Sequence, residues 1–407
     1  RATLQQRTGV CNAFGPTVFE DATLSYGNYV TDANYQYRDE NGEIRKLVCT
    51  WPTFAFPCGV AFKGTTAYNL PGTDNAAVSF GSGTGDRPSD LWVDEITGQG
   101  VADDLPDVTL GMRLVDMPVW YARTWRDDGA WITGTNAPAR AFNLRKTGPG
   151  MLVLGNANSV TTGRVEVAEG TLRVAKRARE DFDYPAAKSA LGDLTDPSRV
   201  ALVVSGGVFE LVESDTFGQA SCENESVFVV SNGTLRSRGA WANSLPRLAL
   251  YDATLEYDGG LNAGSYNPPY GTFIFARRVS WDGTRPYDLQ PNGTANYFAL
   301  GHELDTYTVL ENDGAVTNLH GKVAFEVADI TGDARADVTL GVVLKTQASW
   351  YNGTRWGQTR FWTGLVKTGP GTLALNGADP EGKYYTEATR VEAGALLVDT
   401  AGPPRPP

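Results

Sequence analysis

The chain has 407 residues, a formal net charge of −12 and a pI near 4.8, a balance that disfavours nucleic acid and anionic membrane surfaces as partners. With 11% aromatic residues and 46 glycines its composition is not that of a disordered chain. No apolar run reaches the ~18–20 residues of a membrane-spanning helix, which argues against membrane insertion, and His302 and His320 are the only imidazoles.

The chain opens on "RATLQQRTGV", with neither an initiator Met nor a signal peptide, as expected of a processed product or an excised segment. "CTWPTFAFPC" follows at 49–58, where Pro52 and Pro57 favour a fold-back and predict a Cys49–Cys58 disulfide. Cys11 and Cys222 are too far apart along a repetitive fold to pair, so they are free thiols or bond to something else. No cysteine spacing is that of a zinc site, and nothing calls for a cofactor. The sequons at Asn224, Asn232, Asn292 and Asn352 carry little weight, because three of them read "NGT", a phrase that turns yield by chance. The setting favoured is oxidising and extracytoplasmic.

Phrases then recur. "EDATLSYGNY" at 20–29 returns as "YDATLEYDGG" at 251–260, and "PDVTLGM" at 106–112 as "ADVTLGV" at 336–342. The start "ATLQQRTG" (2–9) lies over "GTLRSRGA" (233–240). The chain therefore reads as about 1.75 copies of a ~231-residue unit, the first over 1–231 and a second, incomplete one over 232–407. Within each unit, short runs such as "GTLRV" (170–174), "GVFEL" (207–211) and "GTLRS" (233–237) alternate with period two after a small turn residue, which predicts strands. Only "DYPAAKSALGDL" (183–194) has material for a helical turn or two, as a loop insertion. Strands this short, joined by corners of one or two residues, suit an all-β solenoid whose coils stack ~4.8 Å apart. An array of β-sandwich-like domains is the competing architecture, because the Trp/Tyr-rich 110–145 and 341–363 have the composition of sandwich sheets.

"LRKTGPGMLVLGNANSVTTGRVEVAEGTLRV" (144–174) and "LVKTGPGTLALNGADPEGKYYTEATRVEAGALLV" (365–398) resemble the passenger-associated, or autotransporter-associated, β-strand repeat. Lys146 to Gly150 and Lys367 to Gly371 match its corner. Gly170-Thr171-Leu172 matches its ending, from which Gly394-Ala395-Leu396 departs by one residue. The likeness covers about 65 residues directly. It implies a right-handed parallel β-helix in a secreted or surface-displayed protein of a Gram-negative-type bacterium. The ending "AGPPRPP" is not the family's translocating barrel, so this chain is not expected to export itself. "KTGPG" lacks the spacing and final Lys-Ser/Thr of a nucleotide loop, so Gly148, Pro149, Gly150, Gly369, Pro370 and Gly371 read as structural corners.

Asp103-Asp104 is an adjacent carboxylate pair of the sort a glycosidase uses, but the second copy has Asp333-Ala334 there, and no catalysis is expected. Asp329, Asp333 and Asp337 in "DITGDARAD" stand at calcium-loop spacing; Asp side chains capping turns are the commoner arrangement. Trp120, Trp125, Trp350 and Trp356, interleaved with arginines, are a candidate ligand surface for carbohydrate if exposed and a packed edge if not. The expected function is a non-catalytic extracellular structural protein: a stalk, surface-layer element or filament subunit. It would assemble end to end or continue in a longer chain. The alternative is a carbohydrate-binding or polysaccharide-cleaving β-helix. Leu152, Val165, Val167 and Leu172, with Leu373, Val391 and Leu396 in the second copy, are the expected core.

Overall fold

The computed structural model describes residues 3–6, 12–26, 33–38, 44–49, 54–72, 76–80, 88–98, 103–116, 124–125, 131–132, 143–156, 159, 161–175, 188–214, 216–217, 224–238, 243–257, 272–292, 297–301, 304–311, 316–346, 359–377 and 388–398. These residues form strands and turns and no helix. Twelve of the thirteen strands in the largest sheet pair in chain order, from Thr17–Glu20 through Leu144–Thr147 and Val227–Ser231 to Thr389–Val391. Each lies parallel to the strand before it. Parallel neighbours in sequence order are the signature of a coil laid on the previous coil. The fold is a parallel β-helix, and its first face rises ~50 Å at the usual strand spacing.

After the strand on this first face, each coil turns a corner into a second face. That face comprises a two-stranded sheet of Thr3–Gln6 with Thr23–Tyr26, a seven-stranded sheet from Tyr68–Leu70 to Thr254–Tyr257 and a four-stranded sheet from Tyr287–Leu289 to Ala395–Val398. A third face is present over Asn12–Ala13 to Arg113–Leu114 and again over Asn243–Leu245 to Val343–Thr346. The two third-face sheets begin and end at matching places in the repeated sequence. A β-sandwich array would stack antiparallel strands. Among the described residues, antiparallel pairing is confined to excursions such as Ala33–Arg38 with Ile44–Cys49 and Leu304–Glu311 with Val316–Val327.

Period-two alternation sends every second side chain inward, and stacking places like positions over one another. Leu152, Leu172, Phe209, Leu235 and Leu255 form one such column on the second face. Val165, Leu202, Phe228, Leu248 and Val279 form another on the first. All ten are buried, among them Leu152, Val165 and Leu172 as expected, and so are Val167 and Leu373 of the expected core. Val391 departs from that expectation at 46% exposed, and Leu396 is partly buried. Both occupy inward register, but no described strand stacks on the far side of their coil. The helical turn expected within 183–194 is also not formed in its described part. Lys188–Ser189 and Gly192–Asp193 make a small hairpin, because Leu191 and Leu194 are drawn into the core.

Candidate functional site: the lysine corners and a cleft where the second face breaks

The "KTGPG" corners are built around a buried lysine. Lys146 occupies an inward position of the first face, paired in register with Leu91 on one side and Val167 on the other. An ammonium there would be ruinous without acceptors. It has three: Nζ donates to the carbonyl oxygens of Thr147 (2.9 Å), Gly148 (2.7 Å) and Glu169 (3.1 Å). Lys367 repeats this, donating to Thr368 (2.7 Å), Gly369 (2.9 Å) and Ala393 (3.1 Å). Each lysine thereby ties its own corner to the corner of the next coil. Burial pulls Lys146 down to about 7, opposed by the charges of Glu169, Asp107 and Glu95; burial also lowers Lys367. Gly148 (φ 78°) and Gly369 (φ 76°) hold the left-handed conformation the corner needs. A Cβ on Gly150 would lie 2.1 Å from the Asp94 carbonyl oxygen, so that position admits only glycine.

A buried aspartate closes the same corner from the preceding coil. Asp107 accepts the N–H groups of Ile96 (2.6 Å) and Thr97 (2.8 Å) on one oxygen and that of Met151 (2.6 Å) on the other. Asp337 does the same with Ile330, Thr331 and Thr372. Its oxygens are thus engaged by backbone donors. Of the other calcium-loop candidates, Asp329 accepts from Gly332 N–H at 2.9 Å and Asp333 from Arg335 N–H at 2.8 Å. Among the described residues no group of three or more potential ligands converges on a metal position. Asp103 and Asp104 also diverge: Asp103 accepts from Leu105 N–H, while Asp104 pairs with Arg238 at 2.8 Å. That arginine holds the Asp104 carboxyl below its ordinary range.

Trp120, Trp350 and Trp356 lie outside the described residues, as does the side chain of Trp125, whose main chain pairs with Trp131 in a short hairpin. Cys58 is an exposed free thiol. With Cys58 free, the expected Cys49–Cys58 disulfide is not formed; the side chain of Cys49 lies outside the described residues, as do Cys11 and Cys222. Asn224 is fully buried and donates to the Phe217 carbonyl, which leaves that sequon no room for a glycan.

Sequence reading missed a charged column on the second face. Arg173, Glu210, Arg236 and Glu256 are register partners on four successive coils, alternating in sign. Glu210 is fully buried beneath Arg173, Arg236 and Arg238. The signal was present, since each residue is the outward middle position of an alternating strand, but column membership needs the coil length. The column stops where the seven-stranded sheet ends at Thr254–Tyr257 and the four-stranded one begins at Tyr287–Leu289. Between them lies a cleft of about 440 Å³ lined by Arg236, Arg238, Glu256, Tyr257, Asp288 and Gln290. Side chains bridge its ends. The Tyr287 hydroxyl accepts from Ala253 N–H and donates to the Asp282 carbonyl, while Asn292 Nδ2 donates to the Tyr257 carbonyl. The corner before it is set by Asp252, a non-glycine at φ 47°, whose carboxylate accepts from Thr284 and Arg285 N–H groups. Asp21, at φ 45°, holds Thr65 and Thr66 in the same way one repeat earlier.

The passenger-associated-transport-repeat model matches residues 144–174 and 365–398, two coils each, beginning at the strands that carry Lys146 and Lys367. The chain carries two passenger-associated-transport repeats. In both of these repeats the lysine reaches from the first coil to the second, so the matched length is the length over which one corner is sealed. No curated protein and no solved structure matches the chain significantly.

Proposed function

We propose that this chain is a non-catalytic structural protein, secreted or displayed on the surface of a Gram-negative-type cell, that serves as a rigid β-helical stalk, surface-layer element or filament subunit. The observation that carries this reading is the uninterrupted parallel ladder from Thr17 to Val391, with its inward columns filled by Leu, Val and Phe. The two passenger-associated-transport repeats support a place outside the cytoplasm. A non-catalytic role is supported by the carboxylates that the sequence singles out, each of which is engaged by its own turn or by an arginine. The stretches 1–231 and 232–407 are two units of one solenoid in this reading.

End-to-end assembly belongs to the same proposal. On the coil Thr389 to Val398, the inward-register Val391 and Val398 are 46% and 58% exposed, and a further coil would cover them. That coil comes from a second copy or from continuation in a longer chain. Light scattering and electron microscopy of the 407-residue protein should show concentration-dependent linear assemblies. A monodisperse monomer at high concentration would refute self-assembly. Polysaccharide depolymerisation that vanishes in an Asp103→Asn/Asp104→Asn variant would refute the non-catalytic role.

A further inference from the structure

We infer that the cleft between Thr254–Tyr257 and Tyr287–Leu289 is a docking site for a short extended peptide of the pattern apolar–basic–apolar, taken up as an added strand.

The first ground is backbone hydrogen bonding. Thr254 N–H bonds back to the Gly233 carbonyl on the preceding coil. In a parallel strand successive residues direct their N–H and C=O groups to opposite sides, so those of Leu255 face the cleft. On the far wall, Tyr287 N–H bonds to the Asp337 carbonyl and Leu289 C=O accepts from Gly341, both on the following coil. The N–H and C=O of Asp288 therefore face the cleft from the other side. The sheet order breaks between these two strands, so no ladder joins them. At one end the Tyr287 hydroxyl serves Ala253 N–H, and at the other Asn292 Nδ2 serves the Tyr257 carbonyl and the Tyr257 hydroxyl the Gln290 carbonyl, which leaves Leu255 and Asp288 between them as the pair a strand would meet. Adding a strand to unpaired main chain is a general mode of peptide recognition. The volume of about 440 Å³ suits a small segment.

Charge is the second and independent ground. Up to the break the outward column alternates as Arg173, Glu210, Arg236, Glu256. Across the break the next outward residue is Asp288, a second carboxylate. A strand placed between them puts its own outward residue between Glu256 and Asp288, where a Lys or Arg restores the alternation. Its neighbouring residues point inward, beside the inward-facing Leu255, Tyr257 and Leu289, and must be apolar. The pattern required is that of the chain's own strands Thr171–Val174 and Thr234–Ser237, which read TLRV and TLRS.

The test uses the full chain and three fluorescein-labelled hexapeptides, GTLRVA, GTLEVA and GTLRVA with the Leu-Arg amide N-methylated. Fluorescence polarisation should show the arginine peptide binding at least tenfold tighter than the other two. Glu256→Gln/Asp288→Asn should erase the preference for Arg over Glu. On the unmodified protein, hydrogen exchange should slow at the Leu255 and Asp288 amides when the arginine peptide is added. Equal binding of the Arg and Glu peptides, insensitivity to N-methylation, absence of binding, or protection located elsewhere would each overturn the inference. The exchange measurement decides the matter even if the double variant misfolds.

Discussion

Lys146 and Glu169 are joined across one coil step: Nζ of the lysine donates to the Glu169 carbonyl at 3.1 Å, while the Glu169 carboxylate accepts the N–H of Gly148, in the lysine's own corner, at 2.9 Å. The glutamate therefore binds both the corner and the charge that fills it. In the second repeat Ala393 stands in its place; the lysine bond to the carbonyl persists and the carboxylate bond does not. The repeated element is the lysine with its three carbonyls.

Replacing Lys146 by Met keeps the volume and removes the donors. The carbonyls of Thr147, Gly148 and Glu169 then lose a partner in a buried corner, and we expect a loss of ~2–4 kcal/mol. Urea denaturation measures this directly, and a variant as stable as the parent would show that the ammonium is dispensable.

The same lysine gives a pH dependence of definite sign. Its folded value of about 7 lies below the ~10.4 of an unfolded lysine. Between those values the unfolded chain holds more protons than the folded one, so stability rises with pH across that window; below ~7 the cost of burying the charge is present in full. Relative to Lys146→Met, the parent should gain stability between pH 6 and pH 9.5. A difference that is flat, or that falls with pH, would contradict the assignment.

Asp337 works in the opposite direction. Burial pushes its carboxyl up, but N–H groups from Thr372, Thr331 and Ile330 outweigh burial and hold it below its ordinary value. Stability from this group is complete above the unfolded value near ~3.9 and is lost as pH falls through the lower folded value. Acid unfolding of Asp337→Asn should show a smaller loss over that range than the parent does.

Core truncation separates a filled column from an open one. Leu172→Ala should cost ~2–5 kcal/mol, since Leu172 is fully buried between Leu152 and Phe209. Val391→Ala, at a half-exposed site, should cost less than ~1 kcal/mol in dilute monomer. Thermal melts of the two variants test the contrast, and equal shifts would argue that the coil of Val391 is covered in solution.

Trp281 offers a comparison between the copies. It is 1% exposed, its indole N–H finds no acceptor, and Phe62 fills the matching place of the earlier copy. Trp281→Phe trades lost contact area against relief of that unpaired donor, and we expect a change within ~1 kcal/mol. A loss above ~3 kcal/mol would mean that the surrounding core is shaped to the indole.

The all-β class, the short strand period, the corners at 146–150 and 367–371 and the inward positions of Leu152, Val165, Val167, Leu172 and Leu373 are legible in the chain before it folds. These are local properties: alternation of period two, glycine where φ is positive and proline at a bend are written within a few residues. Tertiary structure decided everything that depends on which residues lie one coil apart. Lys146 is an ordinary exposed lysine to a sequence reader, and only stacking sets it between Leu91 and Val167 with carbonyls from two coils around it. Asp337, spaced like a metal ligand, is claimed by Thr372, 35 positions away. The alternating column from Arg173 to Glu256 joins residues separated by 37, 26 and 20 positions, because excursions of different length fall between coils. Unequal coil length hides register from the sequence, and register sets the charge column, the sheet break and the cleft.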